Sequence, residues 1–495
     1  MQIITTIITF LFIGIAPLFS QTEKEMVEAT VNKNTIESHI YFLADDLLKG
    51  RETGTPELEI AASYLANTLR SYGVQPVSMT GSYFQQVPMQ KVSPPKKLLL
   101  KINGTEYKKK VVLEASKMDF KGEAVFLGYG LEEDYKGKDV TEKMVYIKAG
   151  SSETQDARSA FGLRETKMEL AKKAGALGIV EFVQTPGTIW EYIEHNFNSD
   201  RLELASNKVE KKKQGKGFVY LWLHDENSSF ITSISAEKSI RIELSVTERT
   251  TEMISSQNVI GMVEGTDPTL KNEFIIYSAH YDHVGIGAAD ETGDVIYNGA
   301  RDNAVGTTTV LSMAENLAKY PTKRSALFIL FTGEEKGLLG SEYYVNNPVL
   351  PLNQMVYCFN SDNGGYNDTS LATVIGLNRT TAAQNIKDAA TAFGLTAIDD
   401  PAPEEGLFDR SDNVHFAAKG IPAPTFSLGF TAFNGMVTEY YHRPGDEADT
   451  LDYAYLLKFF KAYVLAGRNI ANDPSTPSWT GGDKYEAVGK KLYNR

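Results

Sequence analysis

The chain has 495 residues, of which 42% are hydrophobic and 11% aromatic, and its formal net charge at pH 7 is −13. This composition is sufficient for folded cores and argues against intrinsic disorder, and the length favours two domains. The negative charge disfavours nucleic acids and anionic membrane surfaces as partners. The single cysteine, Cys358, excludes an intrachain disulfide, and its apolar neighbours indicate a small buried side chain.

The first twenty residues are apolar and contain no Asp, Glu, Lys or Arg. The segment is short for a membrane-spanning helix and is typical of a signal peptide, residues 1–20, that ends near Ser20. The Lys or Arg that usually precedes such a segment is missing, so an uncleaved N-terminal anchor remains an alternative. We predict an exported protein, periplasmic or secreted, with no membrane contact unless this segment is retained.

Two helical patterns and two strand patterns follow this segment. Apolar residues recur at helical spacing from Thr35 to Leu48 and from Glu57 to Tyr72, and the stretch between them, Gly50–Pro56, has the composition of a loop. Short strand patterns come next, at Tyr83–Val87 and Lys97–Ile102.

The character of the sequence changes near residue 115. Strand patterns at Glu123–Gly130 and Gly178–Val183 flank a helical pattern at Thr166–Ala174, and the stretch carries no cluster of metal-binding residue types. It indicates a separate small α/β module that is inserted into the main domain. The basic run Lys211–Lys213 predicts a solvated loop.

From Ser256 to about Asn472 strand patterns alternate with helical patterns, which include Asn303–Lys319 and Leu456–Ala471. This alternation predicts a three-layer α/β domain. The polar tail after Asp473 contains proline and paired glycines and predicts a loose surface segment.

Three strand-like runs of this domain each end at a carboxylate or an imidazole. In chain order they are Phe274–Ala279 before His280, Ala326–Gly333 before Glu334 and Glu335, and Met355–Ser361 before Asp362. Continuous apolar runs are typical of strands buried on both faces of a largely parallel sheet. Open α/β sheets bind their ligands at the carboxyl ends of the strands, so these side chains are expected at one site.

The candidate metal ligands offer nitrogen and oxygen but no sulfur: His280, Asp302, Glu335, Asp362 and His442. Such a set suits Zn²⁺, with Mn²⁺ or Co²⁺ as possible substitutes. Five ligands are too many for one catalytic zinc, which normally keeps three protein ligands and an open position. They suit two zinc ions if one carboxylate bridges, and the charges then balance with one bridging hydroxide.

Two further carboxylates have candidate catalytic roles. Asp282 lies two residues beyond His280, on the same side of a strand, so its carboxylate is predicted to accept a hydrogen bond from the imidazole ring. Glu334 is adjacent to Glu335 and points differently, which leaves one of the two free as a general base.

Signatures of other enzyme classes are missing from the sequence, including His-Glu-x-x-His, Gly-x-Ser-x-Gly and a phosphate-binding loop. The remaining histidines have no comparable neighbours and are predicted to be structural or exposed, with doubt only about the one nearest the site: His39, His195, His224, His283 and His415.

Several motifs in this order are highly specific: Asn258–Gly261, Ala279–Gly285, Asn298–Gly306, Phe331–Glu335, Asn360–Asp362 and Tyr441–Asp446. By these motifs the chain resembles the co-catalytic di-zinc aminopeptidase family, which also contains glutamate carboxypeptidases, transferrin-receptor-like proteins and glutaminyl cyclases. The stretch between the two matching parts is similar to the protease-associated domain, through Val125–Gly130 and Ala174–Gly178.

The resemblance implies a fold and a domain arrangement. The expected fold class is α/β, with a three-layer αβα zinc-peptidase domain built on a mixed, mostly parallel sheet. That domain would comprise residues 25–112 and 248–475, with a smaller protease-associated domain inserted at 113–247 and a C-terminal tail at 476–495.

The resemblance also implies roles for single residues. Asp302 would bridge two zinc ions, with His280 and Asp362 on one ion and Glu335 and His442 on the other. Glu334 would act as the base, and the Asp302–Asn303 peptide bond would be cis.

Tyr441 and Arg410 are the candidate substrate contacts. The segment Arg410–Asp412 resembles a family motif that usually continues with histidine, but Asn413 follows here. This departure puts the contact role of the loop in doubt.

The predicted function is a zinc-dependent exopeptidase, an aminopeptidase that hydrolyses N-terminal residues from peptides through a hydroxide bridging two zinc ions. A carboxypeptidase or dipeptidase is the alternative enzyme, and it would need a cationic pocket for a terminal carboxylate. A glutaminyl cyclase is disfavoured because such relatives use one zinc, and a non-catalytic receptor is disfavoured because no ligand is missing. The sequence leaves the oligomeric state and the side-chain preference open.

Overall fold

The structure is a computed structural model that describes residues 21–77, 81–205, 217–237 and 240–494. The predicted signal peptide, residues 1–20, and the basic run Lys211–Lys213 lie outside the described residues. Among the described helices, none has the length and apolar content needed to cross a membrane.

The described helices are, in chain order, α1 (Glu23–Glu28), α2 (Lys33–Leu43), α3 (Pro56–Tyr72), α4 (Ala157–Lys173), α5 (Gly187–Asn198), α6 (Ser229–Ser235), α7 (Gly306–Lys319), α8 (Leu339–Asn346), α9 (Ala383–Ala392), α10 (Asn413–Ala418), α11 (Tyr453–Asn472) and α12 (Glu486–Leu492). Local sequence explains several of these boundaries. For α3, Thr55 caps the first turn with its side chain, Pro56 occupies the first helical position, and Gly73 ends the helix with a φ of 86°.

The described strands are β1 (Gln75–Pro76), β2 (Phe84–Ser93), β3 (Leu98–Ile102), β4 (Thr105–Glu106), β5 (Lys110–Ala115), β6 (Met118–Phe126), β7 (Met144–Lys148), β8 (Gly178–Val183), β9 (Arg201–Leu204), β10 (Val219–His224), β11 (Ile240–Val246), β12 (Thr250–Val263), β13 (Phe274–His280), β14 (Gly285–Ile286), β15 (Ile296–Tyr297), β16 (Ser325–Phe331), β17 (Met355–Ser361), β18 (Leu371–Ile375), β19 (Thr396–Ile398) and β20 (Thr425–Leu428).

The chain divides into two compact units. The first unit runs up to Gln85 and resumes at Gln257, and the second unit is Gln86–Ser256. The boundaries expected from the sequence, at 112/113 and 247/248, therefore move outward. The reason is strand pairing, because β3 pairs with β11 and β5 pairs with β10 in the sheet of the second unit.

The sheet of the first unit is mixed, with a parallel centre. Its strands follow the order β19-β18-β20-β17-β13-β16-β12. Strands β16, β13, β17 and β20 are parallel neighbours, whereas β12 and β18 join antiparallel. The observed sheet agrees with the mixed, mostly parallel sheet that was expected.

Side chains alternate between the two faces of this sheet, and both faces are buried. Ile275 and Tyr277 belong to a hydrophobic cluster that includes residues of α2, α3, α7, α9 and α11. Ile276, on the opposite face, belongs to a second cluster with residues of α8 and α10. Helices therefore cover both faces, which is the three-layer arrangement predicted from the alternating pattern.

The C-terminal tail differs from the prediction of a loose segment. Trp479 is buried and donates its indole N–H to the carbonyl of Gly420 at 3.0 Å. Arg379 and Asp483 form an ion pair at 2.7 Å, and α12 follows. The tail packs against the rest of the first unit through one large aromatic ring and one partly buried ion pair. Its mostly polar composition gave no sign of these two contacts.

The second unit has its own sheet, with the order β4-β3-β11-β6-β7-β8-β10-β5. The predicted strands correspond to β6 and β8, and the predicted helix lies within α4. Between α4 and β8 the ammonium of Lys167 lies 2.5 Å from the carboxylate of Glu181, with both side chains fully buried. The hydroxyl of Tyr220 and the indole N–H of Trp222 also donate to Glu181, which satisfies its carboxylate.

Candidate metal centre

The central strands bring the predicted ligands to one edge of the first unit's sheet. Strand β13 lies between β16 and β17, parallel to both, and its last residue, His280, is opposite Phe331. The chain then turns at Gly333, whose φ of 70° suits glycine, and continues to Glu334 and Glu335. Asp362 directly follows β17.

The two remaining ligands, Asp302 and His442, come from segments outside the sheet. Asp302 belongs to the turn Ala300–Val305 that precedes α7. Its Oδ1 lies 3.3 Å from Nε2 of His280, and its Oδ2 lies 3.2 Å from Nε2 of His442. The two oxygens of one carboxylate therefore face two different imidazoles.

Each imidazole has a second carboxylate beside it. The Nε2 atom of His280 is 3.3 Å from Oδ1 of Asp362, and Nε2 of His442 is 3.1 Å from Oε2 of Glu335. Two ligand groups result, with Asp302 between them. The Asp302–Asn303 peptide bond is cis, as the resemblance implied.

The donor atoms fit a small tetrahedral cation. Zinc bonds of about 2.0–2.1 Å separate neighbouring tetrahedral ligands by about 3.3 Å, which is close to the nitrogen–oxygen distances of both groups. In addition, Nε2 of His442 is buried and makes no well-aligned hydrogen bond within the part of the chain that the structure describes, although two carboxylate oxygens lie beside it. A buried ring nitrogen with this surrounding is suited to coordinate a metal.

The electrostatics of the site favour a cation. Burial lowers the pKa of His442, but its contacts with Asp302 and Glu335 outweigh this and raise the pKa to about 10. Burial and Asp302 would raise the pKa of Glu335, yet its contacts with His283 and His442 hold it at about 2. The carboxylates thus create a negative potential in a buried space, and positive charge stabilises it.

Glu334 has a different electrostatic character. Burial, followed by the charges of Asp362 and Glu335, raises its pKa well above the ordinary value, although His280 opposes this. Ligand atoms of Glu334, His280 and Asp362 lie within 4.8 Å of one another. A carboxylate with a raised pKa beside a metal site has the properties of a general base.

Asp282 lies in the site, but its contacts differ from the expected ones. The Nδ1 atom of His280 is 3.2 Å from the backbone carbonyl of Asp282 and 3.9 Å from its carboxylate. The carboxylate instead accepts hydrogen bonds from the backbone N–H groups of Glu334 and Glu335 and from the hydroxyl of Thr53. Asp282 therefore fixes the turn that carries both glutamates, because that turn presents its N–H groups towards the strand end.

His283 is a site residue that the sequence reasoning set aside with the structural histidines. Its ring is buried, and Nδ1 lies 2.7 Å from Oε1 of Glu335, on the oxygen that does not face His442. The contact orients Glu335, which is a common arrangement around metal ligands. The only sequence signal was the proximity of His283 to His280.

Asp446 and Arg301 form a second contact that holds metal ligands in position. The sequence did not predict it. The carboxylate of Asp446 accepts from the backbone N–H groups of Arg301 and Asp302 and from the Arg301 guanidinium. The same guanidinium lies 3.8 Å from the ring centroid of Tyr440. These contacts connect the turn of Asp302 to the segment of His442.

The two candidate substrate residues both line the cleft beside the ligands. Tyr441 stacks on the ring of His442, with centroids 4.0 Å apart, and Arg410 lies among the other lining residues. The cleft has a volume of about 640 Å³. It is lined on the ligand side by His280, Asp302, Glu334, Glu335 and Asp362.

Comparison with known proteins shows a likeness to one peptidase family. Residues 258–466, which contain all the ligands described above, match the family described as peptidase family M28. The match includes β13, β16 and β17 and ends within α11.

Two curated aminopeptidases are similar in sequence to parts of this chain. Aminopeptidase YwaD of Bacillus subtilis is 31% identical over 199 residues, and the probable leucine aminopeptidase 2 of Aspergillus oryzae is 24% identical over 283 residues. These alignments cover 39% and 51% of this chain, and 40% and 52% of the relatives, so the chain spans about half or less of their length.

The solved structure of an aminopeptidase from Aneurinibacillus sp. strain AM-1 has a TM-score of 0.58 against this chain. The two are 21% identical over 91% of this chain and 97% of that one. At this identity the likeness shows the fold, a mixed α/β architecture.

Proposed function

We propose that the chain is a zinc-dependent exopeptidase that removes N-terminal residues from peptides. The observation that carries the proposal is the placement of Asp302, whose two oxygens face two separate imidazole–carboxylate groups. The match to peptidase family M28 and the aminopeptidase names of both curated relatives support it.

Two zinc ions would be held by these groups. His280 and Asp362 would bind one, Glu335 and His442 the other, and Asp302 would bridge them. Bound zinc supplies Lewis acidity, which lowers the pKa of water and polarises a peptide carbonyl.

The chain's own residues would then handle the protons. Glu334 lies beside His280 and Asp362, and its raised pKa suits a group that accepts a proton from water. It would take a proton from the attacking water and deliver it to the nitrogen of the leaving amine. Asp282 would keep Glu334 in place through the backbone hydrogen bond of 3.1 Å.

Tyr441 would contribute a hydrogen-bond donor at the cleft. Burial, followed by the negative charges of Asp302 and Glu335, raises the pKa of its phenol, so the hydroxyl stays protonated. A protonated phenol that lines the cleft is suited to stabilise an oxyanion.

The remaining features complete the proposal. Residues 1–20 would direct export, so that the enzyme acts on peptides in the periplasm or outside the cell. The second unit would be a protease-associated domain, which the resemblance of Val125–Gly130 supports.

Metal content and hydrolysis of aminoacyl-nitroanilides, before and after chelation, test the proposal. We expect about two zinc ions per chain, with activity lost on chelation and restored by Zn²⁺. Matched peptides with free and N-acetylated N-termini show from which end of the peptide the enzyme removes residues. Cleavage of the acetylated peptides alone would favour a carboxypeptidase, and a protein that takes up no zinc would contradict the catalytic assignment.

A further inference from the structure

The cleft beside the metal ligands is lined by two chemically different sets of residues. One set comprises the carboxylates and His280, and the other is apolar, with Ile375, Leu407, Phe430, Phe433 and Val437. Arg410 is the only Lys or Arg among the described residues that line the cleft. A peptide that enters the cleft would therefore meet one fixed cation apart from the metal site.

The guanidinium of Arg410 has no carboxylate partner within 4.0 Å among the described residues, whereas most arginines of the first unit are engaged. Arg324, Arg379 and Arg468, for example, each form an ion pair. The carboxylate next to Arg410 in the chain, Asp409, is paired with Lys484 at 3.1 Å. The guanidinium of Arg410 lies 5.9 Å from the centroid of the Phe433 ring.

The turn that carries Arg410 is held firmly. Asn413, which stands where the resembling motif usually has histidine, donates to the carbonyls of Phe408 and Ala423 at 3.2 and 3.1 Å. The Phe408 ring lies 3.9 Å from the guanidinium of Arg379. Arg410 therefore extends from a fixed support, which reduces the entropy cost of binding a ligand group.

From these observations we propose that Arg410 binds a carboxylate of the peptide substrate. This inference rests on the proposed function and adds the substrate class: short peptides whose terminal carboxylate lies near the scissile bond, or peptides with an acidic side chain there. Guanidinium and carboxylate match in planar geometry, which allows two parallel hydrogen bonds. The apolar set would at the same time favour a large aliphatic or aromatic side chain.

The test compares substrates with and without a carboxylate near the scissile bond. Leu-Leu has a free terminal carboxylate, Leu-Leu-amide has none, and Leu-Glu-amide and Glu-Leu-amide have a side-chain carboxylate on either side of the bond. With the zinc-loaded enzyme, we expect kcat/KM to be about 10- to 100-fold higher for at least one acidic substrate than for Leu-Leu-amide. Which one is favoured identifies the source of the carboxylate.

Variants assign the preference to Arg410. In Arg410→Met the ratio of kcat/KM between the acidic substrates and Leu-Leu-amide should fall to about one, and in Arg410→Lys part of the preference should remain. Arg158→Met removes an exposed arginine from the second unit and should leave the preference unchanged. Equal rates for all four substrates in the wild type, or a preference that persists in Arg410→Met, would overturn the inference.

Binding provides a readout that does not depend on turnover. The Kd of each peptide for the zinc-loaded Glu334→Gln protein should show the same preference, and Arg410→Met in that background should abolish it. Hydrolysis without any preference would leave the exopeptidase proposal standing and reject the role of Arg410. Absence of hydrolysis would reject the exopeptidase proposal, and the Kd values would still decide about Arg410.

Discussion

The carboxylate of Asp446 lies 2.9 Å from the guanidinium of Arg301, and both side chains are buried. The same carboxylate holds the backbone N–H of Asp302, so one side chain connects the segment after His442 to the turn of the bridging carboxylate. The ligands on the sheet are positioned by strand ends, whereas Asp302 and His442 depend on this contact for their mutual distance.

Asp446→Asn should therefore weaken zinc binding. The amide cannot form the ion pair with Arg301, and loss of a residue that supports metal ligands typically lowers affinity about 10- to 100-fold. Titration of zinc against a competing chelator measures this. Asp483→Asn is the matched control, because it breaks the Arg379 pair far along the chain from the ligands. Wild-type affinity in a folded Asp446→Asn protein would contradict the prediction.

The adjacent glutamates should give opposite results when each is changed to glutamine. Glu334→Gln should keep its zinc and lose about 10²- to 10⁴-fold in kcat, the usual contribution of a general base. Glu335→Gln should lose affinity for zinc, because it removes an oxygen that faces His442 at 3.1 Å. Metal analysis and steady-state kinetics on both proteins separate the two roles, and near-normal turnover in Glu334→Gln would reject its role as base.

The buried ring of His39 should make the free energy of unfolding depend on pH. Its ring is buried between the hydroxyls of Tyr64 and Tyr72, at 2.7 and 2.8 Å, and burial lowers its pKa from 6.5 to about 4. The unfolded chain thus binds a proton that the folded protein does not, so stability is lost as the pH falls from 6.5 towards 4. The loss should reach about 2 kcal/mol at pH ~4.5.

Denaturant unfolding at several pH values, compared with His39→Gln, measures this contribution. The glutamine variant carries no titrating ring, so its stability should fall less over the same interval. Parallel curves for the two proteins would show that His39 does not contribute.

The buried pair of the second unit should be sensitive to loss of its cation. Lys167→Met leaves the carboxylate of Glu181 buried without its counter-charge, which should cost about 3–5 kcal/mol. Lys121→Met breaks an exposed pair with Glu243 in the same unit and should cost far less. Tryptophan fluorescence during unfolding reports on this unit through Trp190 and Trp222, and equal midpoints for the two variants would contradict the expectation.

The sequence predicted the parts of the site that depend on chain-local patterns. Apolar runs ending at His280, Glu335 and Asp362 could be recognised as buried parallel strands, and parallel strands bring such ends together. The three-layer architecture followed from the same alternation. These features require only periodicity and the order of elements.

Contacts between distant segments could not be predicted in this way. Arg51 looked like a loop residue, yet it is buried and donates to the carbonyls of Tyr281 and Gly299, close to the ligands. The carboxylate of Asp282 accepts from the backbone of the turn at Glu334, whereas only its backbone carbonyl contacts the ring of His280. Such partners are chosen by tertiary packing, which no local pattern encodes.

The position of Cys358 gives the protein an internal reporter. This cysteine is the only one in the sequence, it lies on the central strand β17 with no solvent exposure, and burial raises the pKa of its thiol to about 12. A thiol reagent needs the exposed thiolate, so it can modify Cys358 only when the packing over this face of the sheet opens. The rate of thiol modification under native conditions therefore measures how often the core beside the metal-ligand strands opens, without any engineered label.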